Sequence, residues 1–304
     1  MPRVLVCDHV EISQLGLGTD FQVDYRPTIT HEELIASVAD YDVLVVRSRT
    51  KVDRAVLEKA TDLKLIARPG TGLDNIDVDT AKSKGVSVVN SPESLVEAVA
   101  EHVLLLMLAL ARRVTFADQS VRGGKWEKEK LMGSELKGKT LGIVGFGRIG
   151  HRIGELGQAL GMNTLVYDVV PISPDSLLKL GAKVVDLDSL LSLSDFVTLH
   201  VPMTTETKHM LDSKRLSLMK SSAFIVNASR GGVIDEVALA SSLRNGSLAG
   251  AALDVFESEP PSGGILVAPN TILTPHIGGQ TAEAQVDAIA VVGQKIVGFF
   301  RAKS

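Results

Sequence analysis

The stretch Leu141-Gly-Ile-Val-Gly-Phe-Gly-Arg-Ile-Gly150 decides the fold of this chain. An apolar run that predicts a β-strand leads into three spaced glycines, and a helical pattern begins immediately after them. In such a strand–turn–helix, Gly145 permits the tight turn and Gly147 lets an anion approach the backbone. Gly150 lets the helix and strand pack closely. The spacing therefore predicts a parallel α/β unit with a pyrophosphate site at the amino terminus of the helix.

An acidic residue follows the next strand pattern. Thr164-Leu-Val-Tyr leads to Asp168, about twenty residues beyond the glycines, where a carboxylate can hydrogen-bond ribose hydroxyls. A carboxylate here repels a 2′-phosphate, so Asp168 favours NAD over NADP. We also predict cofactor contacts at Arg148 and Ile149, which open the helix. A glycine-punctuated turn with a solvated aspartate is the simpler alternative, but strand, glycines, helix and acid together favour a dinucleotide.

Length and composition predict a globular protein with two domains. The chain has 304 residues, 45% of them hydrophobic and 22% charged, which is ordinary for globular proteins. A formal net charge of −4 provides no broad electrostatic footprint for nucleic acid, so no nucleic-acid partner is expected. The single cysteine, Cys7, excludes an intrachain disulfide and a cysteine-based metal cluster, and no metal is expected.

The ends and the most apolar segment suggest no membrane partner. The amino terminus enters a strand pattern at once, without a signal-peptide core. The apolar run that begins at Val103 is too short to span a bilayer. We therefore expect a cytoplasmic protein.

Strand and helix patterns alternate along the whole chain. Strand patterns lie near 4–7, 43–46, 65–67, 86–89, 141–145, 164–167, 183–185, 196–199, 223–227, 250–255 and 271–274. Capped helix patterns begin near Thr30, Asp53 and Asp77. A long helix from about Ser94 to Arg113 is apolar on most faces, which indicates either a buried helix or an interface helix. Trp126, in the polar segment that follows, is expected to anchor its loop or an interface.

Three polar residues follow strand patterns in the last third of the chain: Arg230, Glu259 and His276. Taken singly, they could be a surface cation, a loop carboxylate and a turn residue. The carboxyl ends of parallel strands meet at one edge of a sheet, so we expect the three side chains to converge. An anion holder, a base and a group that tunes the base suit the oxidation of a hydroxy acid.

Several further motifs occur in a fixed order after the glycines. They are His200-Val-Pro, Asn227-Ala-Ser-Arg-Gly, Gly250-Ala-Ala-Leu-Asp-Val-Phe-Glu-Ser-Glu-Pro and Thr274-Pro-His-Ile-Gly-Gly. Together they resemble the D-isomer-specific 2-hydroxyacid dehydrogenases over essentially the whole chain. The resemblance implies two Rossmann-like domains, each a parallel sheet flanked by helices, with a cleft between them. It places a discontinuous substrate domain at 1–93 plus 280–304 and an NAD-binding domain at 94–279, and it implies a homodimer or a tetramer.

The resemblance also assigns roles. His276 would be the acid/base for the substrate hydroxyl, an exchange that suits an imidazole. Glu259 would orient this imidazole and favour its protonated form, and Arg230 would hold the substrate carboxylate or carbonyl oxygen. Asp254 would lie near the nicotinamide amide. Other predicted contacts to the cofactor are Val201, Pro202, Ala228, Ser229, His276, Gly278 and Gly279. His102, His200 and His209 lack such motifs and are expected to be structural.

The substrate is predicted from the first domain. Arg47, Arg49 and Lys51 cluster after a strand pattern, where they could bind a phosphate or form a solvated basic edge. A glycine-rich turn with Thr71 and Gly72 could receive a carboxylate on its backbone amides. These segments are similar to those of the D-3-phosphoglycerate dehydrogenases, apart from Pro69, where alanine or glycine is frequent. The resemblance implies a small anionic 2-hydroxy acid, 3-phosphoglycerate, as substrate.

Two other functions stay open. A glyoxylate or hydroxypyruvate reductase needs no phosphate site, and some relatives are NAD-sensing corepressors that bind protein partners. Longer family members carry a carboxy-terminal regulatory domain. Because the sequence ends at Ser304, feedback inhibition through such a domain is not expected.

Overall fold

The computed structural model describes residues 1–302, and the chain divides into two compact units. Unit 1 comprises Met1–Val96 and Gly279–Ser304, and unit 2 comprises Glu97–Gly278. The divisions thus lie at 96/97 and 278/279, against 93/94 and 279/280 in the sequence-based interpretation. Unit 1 is discontinuous in sequence.

Unit 1 contains a parallel sheet in the order β2-β1-β3-β4-β5. Its strands are β1 (Arg3–Val6), β2 (Gln22–Tyr25), β3 (Val43–Val45), β4 (Leu65–Arg68) and β5 (Ser87–Asn90). Sequence patterns did not predict β2, whose residues are exposed or partly buried at the sheet edge. The strand order reverses between β1 and β3, and ligands bind beyond the carboxyl ends of strands at such a switch point.

Three of the four helices of the first segment begin where the sequence predicted, and α1 (Ile12–Leu15) was not predicted. The other three are α2 (His31–Ser37), α3 (Arg54–Lys59) and α4 (Val78–Ser83). Thr30 and Glu33 form a capping box, and Asp53 and Asp77 accept backbone hydrogen bonds as N-caps of α3 and α4. Short polar caps therefore fix these starts.

Unit 2 contains a parallel sheet in the order β12-β11-β10-β9-β6-β7-β8. Its strands are β6 (Thr140–Val144), β7 (Asn163–Tyr167), β8 (Lys183–Val184), β9 (Phe196–Leu199), β10 (Phe224–Asn227), β11 (Gly250–Leu253) and β12 (Thr271–Leu273). The predicted α/β class with parallel sheets is confirmed. The switch point lies between β6 and β9, directly beside the glycine turn.

The helices of unit 2 flank this sheet. They are α5 (Val96–Arg112), α6 (Val114–Arg122), α7 (Arg148–Ala159), α8 (Pro174–Leu180), α9 (Leu187–Leu193), α10 (Ser213–Leu216) and α11 (Glu236–Arg244). An apolar cluster that includes Leu190, Ile225 and Leu239 packs α9, α10 and α11 onto the strands.

The long helix is apolar on more than its buried face. Among the described residues, the segment Pro92–Arg112 is the one that meets length and hydropathy criteria for a membrane span, although 44% of its apolar window is buried within the protein. A core helix passes the same criteria. Val103, Leu106 and Leu110 are buried, whereas Leu105 is 59% exposed.

The last helix, α12 (Ala282–Arg301), has the predicted bounds. Val292 and Ile296 on α12 join Val4 and Val6 of β1 in one apolar cluster, so the helix returns to unit 1. Trp126 is 83% exposed. The prediction that it anchors its own loop is wrong, because no neighbour in the described chain covers the ring; the interface alternative is left.

Candidate active site

The three glycines of the first motif have different surroundings. Gly145 has φ +92°, and a Cβ there would lie 2.5 Å from the carbonyl oxygen of His200. A Cβ on Gly150 would lie 2.2 Å from the carbonyl oxygen of Gly145, whereas one on Gly147 would have no atom within 4 Å. Gly145 and Gly150 thus serve the turn and the packing. Gly147 leaves open space at the amino terminus of α7.

Asp168 is joined to the glycine turn through its side chain. Its Oδ2 accepts a hydrogen bond from the backbone N–H of Phe146 at 2.6 Å, and Oδ1 accepts one from Val170 at 2.9 Å. A carboxylate has about four acceptor positions, so capacity for ribose hydroxyls remains. Open space at Gly147, free helix N–H groups and this oriented carboxylate together fit a dinucleotide.

Other predicted cofactor residues follow neighbouring strands at the same sheet edge. Val201 and Pro202 come after β9, and Ala228 and Ser229 come after β10. Ser229 is buried, and its backbone N–H and Oγ donate to Asn227 Oδ1 at 3.0 and 2.8 Å. The loop after β10 is therefore braced internally.

His276 and Glu259 form a pair. His276 Nδ1 lies 3.1 and 3.0 Å from the two carboxylate oxygens of Glu259. Glu259 Oε1 also accepts from the Phe256 N–H at 3.4 Å. The His276 backbone has φ +55°, an uncommon conformation for a residue with a Cβ. With Nδ1–H given to the carboxylate, Nε2 is the nitrogen left for proton exchange.

Arg230 lies in a loop that touches the Glu259 loop. Its Nη1 donates to the Ser229 carbonyl at 2.7 Å, and its own carbonyl accepts from Asn227 Nδ2 at 2.8 Å. A Cβ on the next residue, Gly231, would lie 1.9 Å from the carbonyl carbon of Phe256. The two loops therefore meet backbone against backbone.

Asp254 is a buried carboxylate that holds the turn after His276. Oδ1 accepts from Thr274 Oγ1 at 2.6 Å and from the Ile277 N–H at 2.8 Å, and Oδ2 accepts from the Gly278 N–H at 2.8 Å. Burial raises the pKa of this carboxyl, but hydrogen bonds from His102, Thr274 and the two amides outweigh burial and lower it. Asp254 is therefore ionised at neutral pH.

In unit 1 the predicted phosphate ligands already have partners. Arg49 Nε pairs with the buried Asp8 Oδ1 at 2.9 Å, and its other nitrogens donate to the carbonyls of Ile29, Pro27 and Cys7. The Arg47 N–H donates to Asp8 Oδ2 at 2.6 Å, and the Arg47 guanidinium donates to Gln285. Asp8 thus organises the loop after β3.

The glycine-rich turn of unit 1 presents a buried hydroxyl. Thr71 Oγ1 is buried and has no hydrogen-bond partner among the described residues, while the Thr71 carbonyl accepts from Asn90 Nδ2 at 2.6 Å. Gly72 follows in the same partly buried turn. Gly278 and Gly279 were both predicted to contact the cofactor; Gly278 belongs to unit 2 and Gly279 to unit 1.

Similarity to known proteins identifies the family of this chain. Residues 104–278 match the family described as "D-isomer specific 2-hydroxyacid dehydrogenase, NAD binding domain". The chain belongs to the D-isomer-specific 2-hydroxyacid dehydrogenase family. Unit 2 is accordingly the NAD-binding domain, with the glycine turn and Asp168 at its switch point.

Relatives within the family have several activities. The chain is 44% identical to a D-3-phosphoglycerate dehydrogenase of Archaeoglobus fulgidus over 91% of this chain and 53% of that protein. It is 47% identical to a hydroxypyruvate reductase of Thermotoga maritima over 84% and 83% of the two chains. The structure resembles an Aquifex aeolicus D-lactate dehydrogenase complexed with NAD and lactic acid, with TM-score 0.86, 30% identity, and 99% and 96% of the chains covered. The chain spans about half the length of the D-3-phosphoglycerate dehydrogenases it matches.

Some residues around the candidate site were missed or set aside in the sequence. Asp8 follows β1 as Arg47 follows β3, so the expectation that polar residues after parallel strands form the site could have found it. His102 was expected to be structural, and its Nε2 lies 3.5 Å from Oδ1 of Asp254, the carboxylate that holds the turn after His276. Asn75 donates from Nδ2 to the carbonyls of Arg47 and Thr50 at 2.8 and 2.6 Å. No sequence signal marks the last two, because their partners are distant in the chain.

Alanine at Gly147 and at Gly150 should have opposite consequences. We expect Gly147→Ala to leave the unfolding free energy within about 1 kcal/mol of the parent and to weaken NAD binding, because its methyl would enter open space that the pyrophosphate needs. Gly150→Ala should lower stability by roughly 1–3 kcal/mol, because its Cβ meets a backbone oxygen. Urea unfolding and fluorescence titration with NAD measure both. Equal stability losses would contradict the assignment.

His200 should make the protein less stable in mild acid. Burial of its imidazole lowers the pKa of His200 to about 3, although the residue as a whole is only half-buried, and the ring contacts Thr198 Oγ1 at 2.8 Å. The unfolded chain binds this proton near pH 6.5. The stabilisation is therefore complete above pH 6.5 and is lost as the pH falls toward 3. Urea unfolding between pH 8 and 5 should show a smaller pH slope in His200→Gln than in the parent.

Proposed function

We propose that this chain catalyses the NAD-dependent oxidation of D-3-phosphoglycerate to 3-phosphohydroxypyruvate, the first step of serine biosynthesis. The observation that carries the proposal is the 44% identity to a D-3-phosphoglycerate dehydrogenase across 91% of this chain. The Arg47–Arg49 segment supports it, since two guanidinium groups follow the strand at the switch point of unit 1. We place the enzyme in the cytoplasm.

His276 removes the proton in this reaction. Its Nε2 accepts the proton of the substrate 2-hydroxyl, and Nδ1–H is held by Glu259. Glu259 stabilises the imidazolium that forms, because the two oxygens lie within 3.1 Å of Nδ1. When bound, the cofactor supplies the hydride acceptor for the carbon that bears the hydroxyl. In the reverse direction the same imidazolium returns the proton to the carbonyl oxygen.

Arg230 and the loops of unit 1 hold the substrate anions. The Arg230 fork binds the carboxylate at the reacting end. Arg47 is the better phosphate ligand of its pair: its guanidinium donates to a neutral amide, Gln285, whereas Arg49 pairs with the buried Asp8 carboxylate. Thr71 Oγ1, buried without a protein partner in residues 1–302, offers a hydroxyl to a substrate oxygen.

The phosphate assignment is tested with substrates that differ only in the phosphate. Arg47→Ala should raise the KM for D-3-phosphoglycerate roughly 10- to 100-fold, the effect of losing one charge-assisted hydrogen bond, and change that for D-glycerate little. Arg49→Ala should add to this loss and also lower stability, because Asp8 would stay buried without its cation. Lys51→Ala, exposed on the same loop, is the matched control. Equal losses for both substrates in Arg47→Ala would overturn the proposal.

Hydroxypyruvate reduction is the second candidate. The chain covers 83% of the Thermotoga maritima hydroxypyruvate reductase at 47% identity, but only about half of the D-3-phosphoglycerate dehydrogenases. Steady-state assays of hydroxypyruvate, phosphohydroxypyruvate and glyoxylate, with NADH and NADPH in parallel, separate the two. A preference for the unphosphorylated acid selects the reductase, and no turnover of any acid would favour a binding protein.

We propose that the enzyme is a homodimer joined through α5, α6 and the following segment. Large apolar side chains are exposed there: Leu105, Leu108, Val114, Phe116, Val121, Trp126 and Met132. A second copy of this surface would cover them, as exposed apolar patches of this kind mark interfaces. Sedimentation equilibrium should give twice the mass of the chain, and a tetramer would require a further surface.

A further inference from the structure

Two glutamates hold each other's backbone beside the Arg230 and Glu259 loops. The N–H of Glu236 donates to Glu257 Oε1 at 3.1 Å, and the N–H of Glu257 donates to Glu236 Oε1 at 2.5 Å. Glu236 is the first residue of α11, where helical N–H groups lack intrahelical acceptors. We call this reciprocal pair the glutamate clasp.

The clasp joins the two loops that carry the proposed catalytic side chains. Glu257 lies two residues before Glu259, and Glu236 begins the helix that follows the segment of Arg230 and Gly231. Between them, Gly231 abuts the peptide bond between Phe256 and Glu257 at a distance that admits no side chain. A shift of Glu257 away from Glu236 would therefore move Glu259 relative to Arg230.

A third segment lies against the clasp. The His209 N–H donates to the Gly232 carbonyl at 2.7 Å, and Leu211 forms a parallel bridge with Ile234. His209 Nε2 is buried and lies 3.2 Å from Glu257 Oε1, an electrostatic contact without hydrogen-bond geometry. An imidazolium at this position would offset part of the repulsion between the two carboxylates.

The clasp keeps two carboxylates close together in spite of their like charge. Burial raises the pKa of Glu236, and the Glu257 carboxylate raises it further, although the N–H of Glu257 opposes both. An ordinary helix cap avoids this cost with one neutral or one acidic residue. With a second carboxylate, the clasp gains reciprocal hydrogen bonds to the backbone, and these bonds fix one loop against the other.

We propose that Glu236 and Glu257 are positioning residues, which fix the Glu259–His276 pair relative to Arg230 through the reciprocal backbone bonds of the clasp. The inference rests on the proposed dehydrogenase chemistry. The clasp touches neither substrate nor cofactor in this scheme. It acts through the loop geometry alone, so an acceptor oxygen at each position is required and a full charge is not.

Alanine and glutamine variants separate positioning from charge. Glu257→Ala and Glu236→Ala should lower kcat/KM for the hydroxy acid roughly 10- to 100-fold, the size expected for sub-ångström to 1 Å misplacement of catalytic groups, with the KM for NAD unchanged. Glu257→Gln and Glu236→Gln keep an acceptor oxygen and should restore most of the activity. Glu33→Ala is the matched control, because it removes a capping-box glutamate whose carboxylate accepts from the Thr30 N–H at 2.9 Å in unit 1.

A second measurement needs no turnover. In the cofactor-free protein, the ¹⁵N shifts of His276, assigned with His276→Asn, report which ring nitrogen carries the proton. Pairing with Glu259 holds the proton on Nδ1, so Glu257→Ala should lower the Nδ1–H fraction, while Glu257→Gln and Glu33→Ala should not.

The outcomes distinguish the inference from the function on which it rests. If the parent turns over no hydroxy acid, the proposed function fails, and the His276 tautomer alone decides the inference. If alanine at Glu257 and Glu236 leaves both kcat/KM and the tautomer as in Glu33→Ala, the clasp is only a helix cap and the inference is wrong. Loss of activity in the glutamine variants equal to that in the alanine variants would also overturn it.

Discussion

His276→Asn should lower kcat roughly 10²- to 10⁴-fold while the protein stays folded and still binds NAD. The imidazole is the group paired with a carboxylate at 3.0 Å, and an amide cannot exchange the proton of the substrate hydroxyl. Asparagine also tolerates the positive φ of +55° at this position, so the backbone of the turn should be kept. Stopped-flow measurement of NADH formation gives the rate of the chemical step.

Glu259→Gln provides the comparison for this result. The amide keeps an acceptor oxygen for Nδ1–H but loses the charge that stabilises the imidazolium, so kcat should fall less than in His276→Asn. The double variant should be close to His276→Asn alone, because groups that act as one unit are not additive. A His276→Asn protein with parental kcat would remove this histidine from the mechanism.

The sequence predicted the elements whose signals are local. The glycine turn, Asp168 and the caps at Thr30, Asp53 and Asp77 each depend on a few adjacent residues, and the structure shows the expected turn, strand end and helix starts. The positions after strand patterns predicted that Glu259 and His276, 17 residues apart, converge, and the family resemblance predicted that they pair. Parallel topology brings such strand ends to one edge.

What the sequence could not predict depends on contacts between distant segments. Arg49 reads as a free cation, yet Asp8, more than forty residues away, accepts its Nε–H, and carbonyls of another loop take the remaining donors. Asp254 was expected to lie near the nicotinamide amide. The sequence did not indicate that its oxygens also hold the turn after His276. β2 lies at the sheet edge without a fully buried residue, so it lacks the apolar run on which the other strand predictions depended.

Gly231→Ala should lower both the unfolding free energy and kcat/KM. The loss of kcat/KM should be larger than the loss of stability explains. Its Cβ would lie 1.9 Å from the carbonyl carbon of Phe256 and 2.0 Å from its oxygen, and neither backbone atom can turn aside as a side chain can. We expect a loss of roughly 1–3 kcal/mol in the unfolding free energy. We also expect at least about a 10²-fold loss of kcat/KM, because the Arg230 and Glu259 loops must separate by a sizeable fraction of an ångström or more.

Two glycines of α12 supply the controls. A Cβ on Gly293 would lie 1.8 Å from the Leu15 carbonyl oxygen, so Gly293→Ala imposes as severe a contact within unit 1 and should lower stability while kcat stays close to the parent. Gly298 has no atom within 4 Å of its Cβ position, so Gly298→Ala should stabilise α12 slightly. Activity measured well below each melting temperature then separates unfolding from misplacement. If Gly231→Ala and Gly293→Ala lose stability and activity in the same proportion, the contact between the two loops has no catalytic role, since strain alone would account for both proteins.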